Sequence, residues 1–470
     1  MCDYKQSQIP TQAVYETNTQ NEDELNDKLQ ENIWGRLLPI GSAFYRYDLK
    51  NDLTTFGRRQ DCDYHITKDS PVCVATAYSN VHFKIKREFS IKTGHHALLE
   101  DLSTNGTFIN GQRLGKGRIQ ALKNNCEIAL SKPENKAFIF IDLDNSDDNI
   151  YPKELKNKYT ITKTLGKGAY GEVKLAFEKN TCEKYAVKII SKKTFTMNGR
   201  HKINLDNQIM SEINILKKLE HPCIIKIKEV IDTNETVFII LELVEGGELF
   251  DKIVSIEKYD ELTAKFLFYQ MVLAIKYLHD QGISHRDLKP ENILLTSSET
   301  KETLIKVTDF GLSKFFDEFS VMKTFCGTPN YLAPEVLKTK GAAAYSNKID
   351  NWSLGVILYI CLVGFPPFSD ENPKLSMEEQ IIQGVYDFPY DFWSTISNEA
   401  IDLIKKLLCV DPDERITLEE VLDHEWLKSS PDTIQKAHDL MFPNGSRKRS
   451  NDQVVSSQSQ EQSNCKKQKI

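Results

Sequence analysis

HRDLKPEN, residues His285 to Asn292, is the stretch on which the reading of this chain turns. It is followed by Asp309-Phe310-Gly311 and then by Ala333-Pro334-Glu335. Upstream, LGKGAYGEV places Leu165, Gly166, Gly168, Gly171 and Val173 in a G-x-G-x-x-G-x-V spacing, with Ala186-Val187-Lys188 after it. The glycines alone would suit a dinucleotide-binding turn, but such a turn opens a helix with an acidic residue about 20 positions on. Here alternation at Val173, Leu175 and Phe177 runs on as a strand toward Lys188. That favours a hairpin folded over the phosphates of a nucleotide, with Lys188 reaching them. A lone tripeptide arises by chance at about one position in 8000 if each residue is used at about 5%. Four such motifs in one order do not arise that way.

On these motifs residues 159–427 resemble the eukaryotic protein kinase family. The resemblance implies an α+β two-lobed fold and a site that takes ATP and Mg2+. Phosphoryl transfer needs positioning and charge neutralisation more than covalent participation, and the implied roles match. Asp287 accepts the proton of the substrate hydroxyl, and Lys289 faces the transferred phosphoryl group. Lys188 holds the α- and β-phosphates and pairs with Glu212 of MSEINIL, with Glu220 and Glu229 set aside by position. Asn292 and Asp309 are the metal ligands, oxygen donors suited to magnesium. Leu165, Gly166, Gly168, Gly171, Val173, Glu242 and Glu248 complete the nucleotide site.

Lys289 and Gly327-Thr328-Pro329 are typical of Ser/Thr kinases, so the implied substrates are serine or threonine hydroxyls. The phrases LELVEGGELFDKI and WSLGVILYICLVGFPPF resemble the calmodulin-dependent kinase group and its checkpoint-kinase relatives. Glu248 and Glu291 fall where basophilic members carry acids, which implies a preference for Arg or Lys three residues before the target. Thr324 aligns with an activation-loop threonine, and Arg286 offers a guanidinium to its phosphate. Trp352 and Ser353, in DNWSLG, are read as structural, and Arg415 as a buried partner of Glu335.

Residues 34–142 show short alternating runs, such as His82 to Ile85 and Phe138 to Ile141, separated by turns at Thr104-Asn105-Gly106 and Asn110-Gly111. Strands at this spacing predict an all-β sandwich. Phe56-Gly57-Arg58, Ser79-Asn80-x-His82 and Ser103-Thr104-Asn105-Gly106-Thr107 resemble the forkhead-associated (FHA) domain, which binds phosphothreonine peptides. By that resemblance Arg58 and Ser79 hold the phosphate with help from Asn80 and Thr104, and Asn105 binds peptide backbone. Each charge-assisted bond of this kind contributes about 1.5 to 3 kcal/mol. A bare hairpin turn explains Asn105-Gly106, but not Arg58 and Ser79 as well. His82 is read as a structural brace.

The whole chain fits this multidomain reading. Its 470 residues exceed one hydrophobic core, while 40% apolar and 27% charged residues exclude collagen-like, wholly disordered and multi-span membrane classes. A net charge of -7 supplies no general field for nucleic acid or anionic lipid. The uncharged stretch from Asn351 to Ser369 soon meets Pro366 and Pro367 and reads as a buried core helix. MCDYKQSQIP has no secretory pattern. Ten cysteines stand singly and read as reduced, intracellular thiols.

Residues 1–33 and 428–470 are expected to be disordered tails, the second losing its apolar content after Phe442, and 143–158 an acidic linker. Thr11 and Thr19 precede glutamines, as do Ser7, Ser457 and Ser459, which suits an upstream SQ/TQ-directed kinase. A phosphorylated Thr11 would be a ligand for the FHA domain of a second copy, giving a phosphorylation-dependent homodimer and trans-phosphorylation of Thr324. Arg447-Lys448-Arg449 and Lys466-Lys467-x-Lys469 suggest import to the nucleus, alongside a cytoplasmic pool. The expected whole is an FHA-regulated Ser/Thr kinase of DNA-damage and cell-cycle checkpoint signalling. The alternative is a phosphothreonine-binding adaptor on an inactive kinase scaffold, against which intact Lys188, Asp287, Asn292 and Asp309 argue.

Overall fold

The computed structural model describes residues 33–41, 43–66, 77–90, 94–143, 151–168, 171–192, 215–299, 302–310, 330–339, 346–371 and 373–443. Thr11, Thr19, Glu212, Thr324 and the basic clusters lie outside the described residues. The chain forms two units, residues up to 164 with Lys174–Lys184, and Leu165–Val173 with Tyr185 onward.

The N-terminal sandwich has eleven described strands: β1 (Gly35–Pro39), β2 (Tyr47–Leu49), β3 (Leu53–Gly57), β4 (Tyr64–His65), β5 (Phe83–Ser90), β6 (Gly94–Asp101), β7 (Thr107–Ile109), β8 (Gln112–Arg113), β9 (Ile119–Leu122), β10 (Cys126–Leu130) and β11 (Lys136–Asp142). One sheet has the order β2-β1-β11-β10-β7-β8 and the other β4-β3-β5-β6-β9. Aromatic rings fill the space between them. Phe56 stacks on Phe83 with centroids 4.4 Å apart, and Tyr64 meets Phe138 edge-on at 5.3 Å. Burying a side chain of this size stabilises by about 1.5 to 3 kcal/mol. The alternation expected at Phe138 to Ile141 becomes continuous burial, because Ile139 and Ile141 on the second face of β11 are covered as well.

A third sheet has the order β12-β13-β14-β16-β15, from β12 (Tyr159–Gly168), β13 (Gly171–Glu178), β14 (Lys184–Ser191), β15 (Ile227–Asp232) and β16 (Thr236–Glu242). The division between units runs through this sheet, since Tyr159–Thr164 and Lys174–Lys184 group with the sandwich. The stretch 143–158 is not wholly a linker. Lys153–Lys158 forms a short helix, α1, whose Leu155 is buried.

The remaining described residues are mainly helical. Helix α2 spans Leu249–Ile256, and α3 spans Glu261–Asp280. Asp260 starts α3 by accepting from the Thr263 amide, as an N-cap should. Phe266, Tyr269, Leu273 and Tyr277 lie on α3 as their spacing predicts, and Gly282 follows its end with φ +72°. Beyond α4 (Pro334–Thr339), α5 (Lys348–Val363) is buried from Ile349 to Val363 and stops at left-handed Gly364. This is the core helix expected from the uncharged run, and no helix among the described residues is long and apolar enough to cross a membrane. The first part of the tail expected from residue 428 is instead ordered as helix. Pro431–Met441 forms a further helix, α6, because Ala437 and Met441 share a face that packs into the core, a sparse pattern hidden by polar composition.

Candidate catalytic and phosphopeptide-binding sites

The HRD segment is built around one carboxylate that lies far away in sequence. Asp350, at the start of α5 and 1% exposed, accepts from the amides of His285 at 2.8 Å and Arg286 at 2.9 Å and from His279 Nε2 at 2.8 Å. Burial would raise its pKa, but the His279 hydrogen bond and the nearby histidines hold it below the ordinary range. His285 is itself buried, its Nε2 donating to the Thr308 carbonyl at 2.9 Å and its Nδ1 accepting from the Asp287 amide. Arg286 takes φ +67°, a conformation uncommon without glycine that this double anchoring maintains.

Anchored so, the segment presents its polar groups together. Lys289 Nζ lies 3.0 Å from Asp287 Oδ2, and Asn292 Nδ2 donates to the Asp287 carbonyl at 2.7 Å and to Oδ2 at 3.2 Å. Strands β17 (Ile293–Leu295) and β18 (Ile305–Val307) pair antiparallel, with Ile293 opposite Val307. That hairpin brings Asn292 beside Thr308, whose amide donates to the Asn292 carbonyl at 2.9 Å. Asp309, at φ +65°, then accepts from Lys188 Nζ at 2.5 Å. Burial would raise the Asp309 pKa, yet the Lys188 ammonium holds it below the usual range.

The donor set fits a magnesium ion with phosphates bound. The Asn292 amide directs its nitrogen to Asp287, which leaves Oδ1 as a hard oxygen donor, and Asp309 keeps Oδ2 beyond its bond to Lys188. Two protein oxygens are no cage, and among the described residues no cluster of three acidic, histidine or cysteine side chains could hold a metal. Magnesium commonly fills its shell with water and substrate phosphates.

The other expected nucleotide residues are placed less uniformly. Leu165 is exposed, Val173 packs against the core, and Gly166 has open space around it. A Cβ at Gly171 would lie 2.0 Å from the Ile189 carbonyl oxygen, so only glycine fits there. Glu242 gives its carboxylate to Lys306 at 2.7 Å and to the Lys226 amide at 2.8 Å, which is a structural task. Glu248 stands before α2, its pKa raised by burial and by the charges of Asp251, Glu291 and Asp309. Arg415 meets Glu335 in a bidentate pair at 2.8 and 3.0 Å, as expected.

In the sandwich the three motif segments converge. The Thr104 amide donates to Ser79 Oγ at 2.9 Å, Arg58 Nη2 to Asn80 Oδ1 at 3.3 Å, and Asn105 Nδ2 to the Ala77 carbonyl at 2.9 Å. The Arg58 amide donates to the Ser79 carbonyl at 3.1 Å. His82 braces the site from beneath: Nδ1 accepts from the Ser79 amide and Nε2 donates to the Gly106 carbonyl. Burial lowers its pKa, consistent with a neutral ring that needs one donor and one acceptor. Asp101 holds the next loop, accepting from Ser103 Oγ at 2.6 Å and Thr107 Oγ1 at 2.8 Å.

Sequence reasoning missed Asp350, Asp101 and Arg113, whose Nη2 donates to the Asn105 carbonyl at 3.3 Å. Asp350 lies in DNWSLG beside residues read as structural, but nothing local ties it to His285. Asp101 sits two residues before Ser103, a spacing at which an aspartate can cap its own turn.

Comparison with known proteins finds both domains. A family model described as protein kinase domain matches residues 159–427, and one described as FHA domain matches 54–131. The ovarian-specific serine/threonine-protein kinase Lok of Drosophila melanogaster is 41% identical over 89% of this chain and 91% of its own. The serine/threonine-protein kinase cds1 of Schizosaccharomyces pombe is 36% identical over 81% of this chain and 82% of its own, and the DNA damage response protein kinase DUN1 of Saccharomyces cerevisiae 33% identical over 80% and 83%. Among solved structures, a crystal structure of Rad53 residues 1–466 in complex with AMP-PNP is similar, with a TM-score of 0.50 and 33% identity, covering 84% of this chain and 99% of that one.

Proposed function

This chain belongs to the protein kinase family, and from that premise we propose how its two sites work together. It is an ATP-binding Ser/Thr kinase joined to an FHA domain, and the inactive-scaffold alternative is not favoured. The observation that carries the catalytic reading is the approach of Lys188 to Asp309 at 2.5 Å beside the Asp287, Lys289 and Asn292 cluster. Lys188 neutralises and orients the phosphates of ATP, and Asp287 accepts the proton of a serine or threonine hydroxyl. Lys289 faces the transferred phosphoryl group. Asn292 and Asp309 would hold magnesium, which when bound would supply charge neutralisation at the phosphate oxygens.

The substrate side carries an excess of negative charge. Glu248, whose proton affinity is raised by burial and by its acidic neighbours, supports a cationic side chain in the substrate three residues before the target. The FHA domain takes phosphothreonine peptides, with Arg58, Ser79, Asn80, Thr104 and Asn105 as the residues of that site. We place the protein in DNA-damage checkpoint signalling on the strength of the relative named a DNA damage response protein kinase, and in the nucleus on the basic clusters Arg447-Lys448-Arg449 and Lys466-Lys467-x-Lys469. Its activation follows from docking of two copies through a threonine phosphorylated by an SQ/TQ-directed kinase, then trans-phosphorylation of Thr324.

The test is transfer of labelled phosphate from ATP to serine peptides with and without Arg at the third preceding position. Asp287→Ala is expected to lower turnover about 100- to 10,000-fold, and the Arg peptide to react faster. Equal rates on the two peptides would remove the basic preference, and unchanged turnover in the variant would remove the assigned role of Asp287.

A further inference from the structure

Three polar ties within the first unit join the FHA sandwich to the strands that open the kinase sheet. Lys163 on β12 bonds to the Glu127 carboxylate on β10, which Lys136 also holds at 2.9 Å. Arg46 Nη1 donates to the Lys179 carbonyl at 2.8 Å, and the same guanidinium is fixed by Asp48 at 2.7 Å. Lys184 Nζ donates to the Ile40 carbonyl at 2.9 Å. The ties therefore fall on β12 and on both sides of the turn between β13 and β14. On the sandwich side, Ile40, Arg46 and Glu127 all lie in or beside one sheet, that of β1, β2 and β10.

The Glu127 side chain is only 15% exposed. Burial would raise its pKa, but Lys163 and Lys136 bring it below the ordinary value, which favours the charged carboxylate. Partly buried pairs are also screened less by salt than exposed ones. Strand β12 is an edge strand, paired on one side only. Lys163 precedes Leu165, where the glycine-rich loop begins, by two residues. Gly166 and Gly168 lie in β12 and Gly171 opens β13, so the position of these glycines depends on the strands that carry them.

We propose that the FHA domain acts in cis as a buttress for the glycine-rich loop: the ties through Lys163, Arg46 and Lys184 restrain β12 and the far end of β13, the two strands that carry the loop, and hold it near the arrangement that binds nucleotide. The proposal rests on the reading of Leu165 to Val173 as the phosphate-binding loop. Its logic is that of a binding-competent state made more populated before the ligand arrives, which tightens the observed affinity by the same factor.

The experiment uses the full chain, with Lys163→Glu, the Lys163→Glu and Glu127→Lys exchange, Arg46→Ala and the milder Lys163→Met should the charge reversal fail to fold. Two quantities are read, amide hydrogen exchange over residues 159–168 and the dissociation constant for AMP-PNP. Cutting the Lys163 tie is expected to speed exchange there and to weaken AMP-PNP binding about three- to tenfold. The charge exchange should restore most of both, as a directly coupled pair does. Unaltered hydrogen exchange would overturn the ties, and faster exchange with unaltered AMP-PNP affinity would overturn the buttress. An unaltered chain that did not bind AMP-PNP at all would overturn the nucleotide-site reading beneath both.

Discussion

Single atoms decide much at both sites. A Cβ at Gly57 would lie 2.1 Å from the Asn80 carbonyl oxygen, closer than any real contact, so the segment carrying Ser79 and Asn80 can lie against β3 only over glycine. Gly57→Ala is expected to push that segment away and to abolish phosphopeptide binding, measured by fluorescence anisotropy, while phosphate transfer to a free peptide persists. His221 gives a pH prediction. Burial, followed by the charge of Lys306, lowers its pKa to about 4, and its ring stacks on Tyr277 with Nδ1 accepting from the Cys223 amide. An unfolded histidine titrates near 6.5. Between those values the unfolded chain binds a proton that the folded one does not, so stability present above pH 6.5 is lost as the pH falls toward 4. Melting temperatures from pH 7.5 to 4.5 should fall less steeply in His221→Gln than in the unaltered chain.

Elements are locked to one another by a few buried polar groups. Arg415, 1% exposed, joins Glu335 of α4 to the Lys348 carbonyl at the start of α5 and lies 5.2 Å from the Trp352 ring. Breaking a buried ion pair by removing one partner typically destabilises by about 3 to 5 kcal/mol. Arg415→Ala should approach that loss in urea unfolding, and a shift under about 1 kcal/mol would show the pair to be ornamental. This is also the scale at which the sequence was least legible. The short motifs around Asp287, Asp309 and Arg58 could be read because each packs its chemistry into a few consecutive residues. The bond from Asp350 to His285 spans 65 positions, and only the fold closes that gap. Helix α6 escaped notice for another reason, since its two buried residues are a thin signal against polar surroundings. The ties of Lys163, Lys179 and Lys184 to the sandwich join residues distant in sequence, none marked by a motif.

For the whole molecule, binding in one domain and transfer in the other make activation a matter of concentration. If two copies dock through phosphorylated Thr11, the initial rate of Thr324 phosphorylation should rise with the square of protein concentration until docking saturates. Arg58→Ala should lose that dependence without losing transfer to a free peptide. First-order activation in the unaltered chain would mean that the FHA domain recruits some other phosphoprotein.

Asp350 sets three donors against two oxygens in a site closed to water, and that arithmetic leaves the position no alternatives. Asparagine would turn an NH2 group toward an amide or an imidazole that also donates, and glutamate would carry its oxygens about one bond too far. In a saturation mutagenesis screen scored by kinase output, Asp350 would therefore tolerate as little change as Asp287. Ranked by such a screen alone, a residue that never meets the substrate would pass for one that does.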